Sequence, residues 1–276
     1  MKYTPRQPKT NVNVTPTSPL RELLVLTVGL AAILVGLYFL LGLAVDVIVP
    51  RLSTGLETKL GAMVTRSLEA PADESRHQRW VQDLTDRIQA RCARLPYLFR
   101  IHIRPGSDVN ALAFPGGHIV VYQGLLDAVV SENELAFVLA HEMGHYAHRD
   151  HLRGLGRAVV FMALAAILLG PDSSAADFLV NTLGLAELSF SRQQEGAADQ
   201  FGLKALNCLY GHVGGSTDFF AKIPEARDPG KWGHYFTTHP ANARRILDLK
   251  AQARQKGYVA GPLLALPGFW QSQSGL

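Results

Sequence analysis

From Leu23 to Val45 the chain carries 23 consecutive residues without a charge, and the run stops at Asp46. A helix of that length is about 35 Å long and exceeds the roughly 30 Å of a bilayer's hydrocarbon core. It is also longer than a buried helix of a soluble protein needs to be, so the run reads as a transmembrane helix. A cleaved signal peptide fits less well, because Leu43, Ala44 and Val45 lack the small-x-small cleavage pattern. Neither Cys92 nor Cys208 lies close enough to accept a lipid. Lys2, Arg6, Lys9 and Arg21 precede the run, whereas only Arg51 and Lys59 follow within twenty residues. That bias predicts a single-pass inner-membrane protein with a cytoplasmic N-terminus and a periplasmic, extracytoplasmic body.

The rest divides by composition. Residues 1–20 read as a disordered cytoplasmic tail, 21–49 as the anchor, 50–75 as a stalk or amphipathic helix leading off the membrane, 76–257 as a compact domain and 258–276 as an irregular Gly/Pro-rich tail. Charged residues are only 18% of the chain, which excludes a disordered protein or a highly charged coiled coil. The net charge of +4 is not clustered as a nucleic-acid surface would be, so no nucleic-acid partner is expected. From Leu98 to Arg104, Phe99, Ile101 and Ile103 alternate with Arg100, His102 and Arg104, as in a half-buried strand. A second short strand is expected at His118–Tyr122, after Gly116-Gly117. Cys92 and Cys208 could pair in an oxidising compartment, but their spacing does not say that they meet.

The chemistry is concentrated at His141-Glu142-Met143-Gly144-His145. Ser131-Glu132-Asn133-Glu134 opens a helix as a capping box, and Leu135, Phe137, Val138 and Leu139 give that helix an apolar face. On it His141 and His145 project from one side, one turn apart, as two neutral imidazoles must to share one Zn²⁺. Glu142 lies one step round, within reach of a water on the metal but not of the metal itself. Two candidates compete for third ligand. His151 would complete a metzincin-like pattern, but that pattern needs a glycine where this chain has His148, and a later Met-turn that is missing. Glu195 is the stronger candidate, with Asp199 one turn further on the same helix face to accept the free N–H of a ligand histidine. Ala197 and Ala198 are small enough to let the two helices approach.

His141–His145 followed by Ser191-Arg192-Gln193-Gln194-Glu195-Gly196-Ala197-Ala198-Asp199 resembles the HtpX-like and CAAX-prenyl-protease-like family of gluzincin zinc metallopeptidases. Asn110 to Ile119 resembles the family's segment before the active helix, and Thr238-His239-Pro240 with Arg244-Arg245 its late motif, in which Arg244 or Arg245 is expected to pair with acidic residues near the ligand helices. The resemblance covers about residues 80–250 and lapses between Leu209 and Tyr235. It implies an α+β fold, a mainly helical zincin-like domain with a small sheet, preceded by one transmembrane helix. It also implies an endopeptidase with one zinc per chain, held by His141, His145 and Glu195 with Asp199 behind them. Glu142 would be the general base, acting on protein or peptide substrates that are unfolded or membrane-associated, in envelope or membrane quality control. His239 would steady the oxyanion or sit on zinc's open position, with His234 and Tyr235 weaker candidates for the first role. An edge strand around Asn110, Ala111 and Ala113, with Gly116 and Gly117, would hold the substrate backbone by strand addition. A non-catalytic membrane-anchored scaffold with a structural metal site is the other reading; Glu142 argues against it, because a structural site needs no such carboxylate.

One topological constraint follows. Ala158–Gly170 is a second apolar run. Since His145 and Glu195 would bind one ion, the segment between them cannot cross the bilayer once. The 158–190 stretch is therefore expected to cover the core or lie on the membrane surface.

Overall fold

The computed structural model describes residues 18–65, 75–170, 189–222, 239 and 244–273. The 1–17 part of the expected tail, residues 66–74 of the expected stalk, His234 and Tyr235 lie outside these described residues. The first element is helix α1, Pro19–Ile48, with proline at its first turn and no buried residue. It contains the whole uncharged run and is long and apolar enough to cross a membrane.

The segment expected to be a stalk is, in part, a docked helix. Helix α2, Thr54–Thr65, buries Glu57 completely. Glu57 accepts hydrogen bonds from Tyr97 Oη at 2.9 Å and faces His151 Nε2 at 2.8 Å. Gly61 lies so close to the Pro115 carbonyl that a side chain there would collide with it. A buried carboxylate needs partners, and both partners belong to the folded domain.

Helix α3, Arg76–Ile88, packs its Val81, Leu84 and Ile88 into the core, and the Gln82 amide bonds the backbone at Phe99 and Ile101. This holds strand β1, Arg100–Arg104, against the helix. The strand starts two residues later than the alternation predicts, although outward Leu98, 83% exposed, and buried Phe99 still follow the alternation. Strands β2, Ala111–Phe114, and β3, His118–Tyr122, complete a three-stranded sheet in the order β1-β3-β2. The β1–β3 pair is parallel and β2–β3 antiparallel, which leaves β2 at an edge. Central β3 is buried along most of its length, as its continuous apolar run requires.

After short helix α4, Gln123–Ala128, comes α5, Glu132–His148, almost wholly buried. Its capping box forms only by half. Ser131 Oγ accepts from the Glu134 N–H, but the Glu134 carboxylate bonds Val130 N and Lys222 instead of its cap. Arg149, in the left-handed region at φ 57°, ends α5 and starts α6, Asp150–Leu169. The apolar run at 158–170 is thus the continuation of a longer helix. That helix packs along α1. Arg149 donates to the Val49 and Leu52 carbonyls, Gly156 abuts Val45, and Arg157 binds both Asp46 oxygens at 2.9 Å. Nothing is described for 171–188.

Helix α7, Arg192–Tyr210, lies across α5. Short helix α8, Asp218–Ala221, and helix α9, Arg245–Gln255, close the core beside them. A disulfide joins Cys92 to Cys208 across 116 positions and ties the end of α3 to α7. The C-terminal tail is irregular up to a short 3₁₀ turn at Gly268–Gln273, yet it is docked as a strap. Leu264 accepts from Glu132 N and donates to Asn133 Oδ1, and Trp270 donates to the Leu126 carbonyl while packing on Trp80 and His77.

Candidate active site

Helices α5 and α7 meet where neither has a bulky side chain. A Cβ on Gly144 would stand 2.8 Å from Ala198 Cα, so the backbones are as close as glycine against alanine allows. This contact sets the residues on either side of Gly144 against the first turns of α7. His141 and His145 point their Nε2 atoms at each other, 3.2 Å apart. Glu195 completes a triangle, 3.6 Å from His141 Nε2 and 3.4 Å from His145 Nε2. A tetrahedral ion bound at 2.0–2.1 Å holds its ligands about 3.4 Å apart, so these residues fit one metal ion.

The surrounding carboxylates fix which nitrogens face the centre. Asp199 Oδ1 is 3.0 Å from His141 Nδ1, and Asp150 Oδ2 is 3.1 Å from His145 Nδ1. With each Nδ1 donating outward, both Nε2 lone pairs converge on the same point, which a cation relieves. The two imidazoles titrate differently. Burial, helped by the Arg245 charge, lowers His141 to about 4 and keeps it neutral. Burial also opposes a charge on His145, but Asp150 and Glu195 outweigh it and raise that imidazole to about 9. His145 so protonated presents an N–H to the centre, and a metal ion bound there would take that proton's place. Glu195 is held well below the carboxylate range despite burial, by the neighbouring His239 and Arg245.

Glu142 is different. Burial raises its carboxyl, and Oε2 has no hydrogen-bond partner among the described residues. His239 is fully buried, with Nδ1 2.8 Å from Glu195 Oε1 and Nε2 3.5 Å from Glu142 Oε1. Its donor atom falls in the same metal-competent group as His141, His145 and Glu195. His151 does not join them: it is spent on Glu57, and the metzincin-like ligand set fails.

Asp150 and Phe190 were missed in the sequence, and Arg245 was expected only as one of two arginines able to pair with acidic residues there. Asp150 follows directly on the α5–α6 corner and is itself held by Gln194 Nε2 at 2.9 Å. Arg245 bridges Asp199 and Glu195, at 2.7 and 2.5 Å, with its guanidinium 4.2 Å from the Phe220 ring centroid. Phe190 stacks on His145 at 3.7 Å and fixes the ring plane. An acidic residue in the first turn of a helix that abuts a ligand histidine was the available signal for Asp150.

Asn110, Ala111 and Ala113 lie on or beside edge strand β2, where the Asn110 side chain accepts from the Ala111 N–H. Tyr146 of α5 bonds the Phe114 and His118 carbonyls and pins this strand to the metal-ligating helix. Gly116 is half-buried and lines a surface cavity with Thr58, Tyr97 and His118, while Gly117 is buried. They form the positive-φ turn between β2 and β3, packed against Thr58 of α2 and the Leu98 carbonyl.

A sequence profile of peptidase family M48 matches residues 71–253, well over half of the chain. The chain belongs to peptidase family M48. The M48 match takes in every residue of the cluster and stops short of α1, α2 and the strap. The chain is 26% identical to the beta-barrel assembly-enhancing protease of Escherichia coli over 219 residues, covering 74% of this chain and 45% of that protein. It is 31% identical to metalloprotease LoiP of the same organism, over 59% of this chain and 65% of the relative. Mitochondrial metalloendopeptidase OMA1 of Schizosaccharomyces pombe is also 31% identical, over 60% of this chain and 50% of its own. The chain spans less than two thirds of each of these M48 relatives. The family is one of peptidases, and the donor set fits one metal ion.

Proposed function

We propose that this protein is a membrane-anchored zinc endopeptidase whose catalytic domain lies outside the cytoplasm and degrades damaged or unassembled envelope proteins. The observation that carries the reading is the triangle of His141, His145 and Glu195 with its histidines oriented by Asp199 and Asp150. When bound there, zinc supplies a water acidic enough to lose its proton near neutral pH and polarises the scissile carbonyl. Glu142, whose Oε2 has no hydrogen-bond partner among the described residues and whose carboxyl is raised by burial, would take a proton there and pass it to the leaving amine. His239, beside Glu142, donates to the developing oxyanion. The β2 edge, held by Tyr146, pairs with the substrate backbone.

The anchor is α1. Its uncharged run, the four basic residues before it and the disulfide, which persists in oxidising compartments, support the exported orientation. The relatives that carry protease names, one of them named for beta-barrel assembly, support the quality-control role. The test is Glu142→Gln in the full chain, with bound zinc counted and cleavage of an unfolded protein measured. Retained zinc with lost cleavage is expected. Full cleavage by the variant would remove Glu142 from the mechanism.

A further inference from the structure

We propose that Arg100, His102 and His118, on the face of the sheet that α2 covers, form a binding site for a phosphate-type anion, carried by an anionic phospholipid or present as free phosphate. The site shares no residue with the metal-binding cluster. Strand register brings the three side chains together. β1 and β3 pair in parallel, with Arg100 opposite His118 and His102 opposite Val120. Side chains two apart on a strand share a face, so Arg100, His102 and His118 stand on the same side of the sheet. The other side, with Ile101, Ile119 and Val121, is buried in the core. His102 Nε2 and His118 Nδ1 are 2.9 Å apart, and their rings stack. Burial, and then the neighbouring His102 and Arg100, lower the His118 imidazole. Like charges directly opposite one another weaken a sheet, so this face lacks a counter-charge.

The protein supplies room for one. The three side chains line a cavity of about 560 Å³ whose opposite wall is α2, at Thr54 and Thr58. No acidic residue lines it among the described residues. The one carboxylate of α2, Glu57, is fully buried and engaged by Tyr97 and His151. Arg100 meets no carboxylate among the described residues. Arg100 repels a metal ion, whereas an anion accepts from the guanidinium and an imidazole and turns their repulsion into attraction. Donors on two walls of a cavity suit a tetrahedral phosphate better than a planar carboxylate. Thr54 opens α2, so the positive end of that helix adds to the same field.

The cavity also has an apolar rim. Leu98, 83% exposed, stands on it beside the basic floor. That arrangement matches the junction of a charged headgroup with its acyl chains. Only residues 49–53 separate α1 from α2. On the reading of α1 as the anchor, a headgroup at the membrane surface is therefore within reach of Thr54, while the free anion needs no such placement.

The test compares the full wild-type chain in a neutral detergent with Arg100→Gln and His102→Gln, each shown by thermal unfolding to be folded. Calorimetric titration with sodium phosphate, against sodium acetate, reads the free anion. Native mass spectrometry after addition of phosphatidylglycerol reads lipid retained per chain. Saturable binding of at least one phosphate probe is expected, weakened about tenfold or more in Arg100→Gln, which loses a charged donor at an exposed position. Variant-sensitive retention of the lipid marks a headgroup site, and variant-sensitive binding of phosphate alone marks a site for the free anion. The proposal is overturned by saturable binding of neither probe, by binding unchanged in both variants, or by acetate binding as tightly and with the same sensitivity to Arg100→Gln. None of these readings requires α1 to lie in a bilayer or zinc to be bound.

Discussion

Gly144 offers the sharpest test of how the two metal-bearing helices are spaced. Gly144→Ala adds one methyl group 2.8 Å from Ala198 Cα and 3.1 Å from Phe201 Cβ. Carbon atoms in contact prefer about 3.5–4.0 Å, so α5 and α7 must separate by roughly 0.7–1.2 Å. Neither neighbour can yield easily, since Ala198 presents backbone and is fully buried. Overpacking of this kind costs about 1–3 kcal/mol, which for a domain near 200 residues lowers Tm by several degrees. The functional cost is larger. His145 follows Gly144 directly and Glu195 lies on the opposing helix, so the 3.4 and 3.6 Å edges of the ligand triangle widen while the His–His edge, within α5, does not. A misplacement near 1 Å costs on the order of 100-fold in rate. The expected outcome is a folded protein with weakened zinc affinity and kcat/KM down about 100-fold. Zinc titration, thermal unfolding and peptide cleavage on one preparation would measure all three. A variant with unchanged zinc affinity and a lowered Tm would refute the claim that this contact sets the metal geometry.

Other expectations follow from the same contacts. Asp150→Asn should weaken zinc binding about 10–100-fold while sparing the fold, because it removes the acceptor that orients His145; equilibrium dialysis against a chelator measures it. Reducing the Cys92–Cys208 bond should destabilise the domain by about 2–5 kcal/mol, read as a lower denaturant midpoint with dithiothreitol present. Glu57 gives a pH signature. Burial pushes its carboxyl upward, but His151 and Tyr97 outweigh burial and hold it below its ordinary 4.5. A depressed folded value adds stability above the unfolded value, and that stability is lost as pH falls through the folded one. The Tm gap between wild type and Glu57→Gln should therefore narrow from pH 6 to pH 4, and a widening gap would contradict the assignment.

The parts of this molecule legible in its sequence are those written in a local period. His141, His145, Glu195 and Asp199 stand at four-residue intervals on two helices, and the anchor is a bare count of uncharged residues. β1 and β3 show in alternation and in an apolar run. What escaped is made of contacts between distant segments. Nothing near Glu57 signals that its carboxylate is buried against residues 40 and 94 positions away. Asp150 was hidden by the α5–α6 corner, which Arg149 makes without a glycine. That Arg244 or Arg245 pairs with acidic residues near the ligand helices was legible; which of the two does so, and with Asp199 and Glu195, 46 and 50 positions upstream, was not. The direction of α6 depended on Asp46, which the sequence offered only as the end of a hydrophobic run.

The C-terminal strap makes the start of the ligand helix depend on a distant segment. The Glu132 N–H and the Asn133 side chain, at the start of the helix that carries both histidines, find their partners in Leu264, 131 positions beyond Asn133. Both residues are buried, so loss of Leu264 would strand a backbone donor and an amide acceptor away from water at the first turn of α5. A segment beyond the peptidase-family match thus holds the end of the helix from which the metal ligands project.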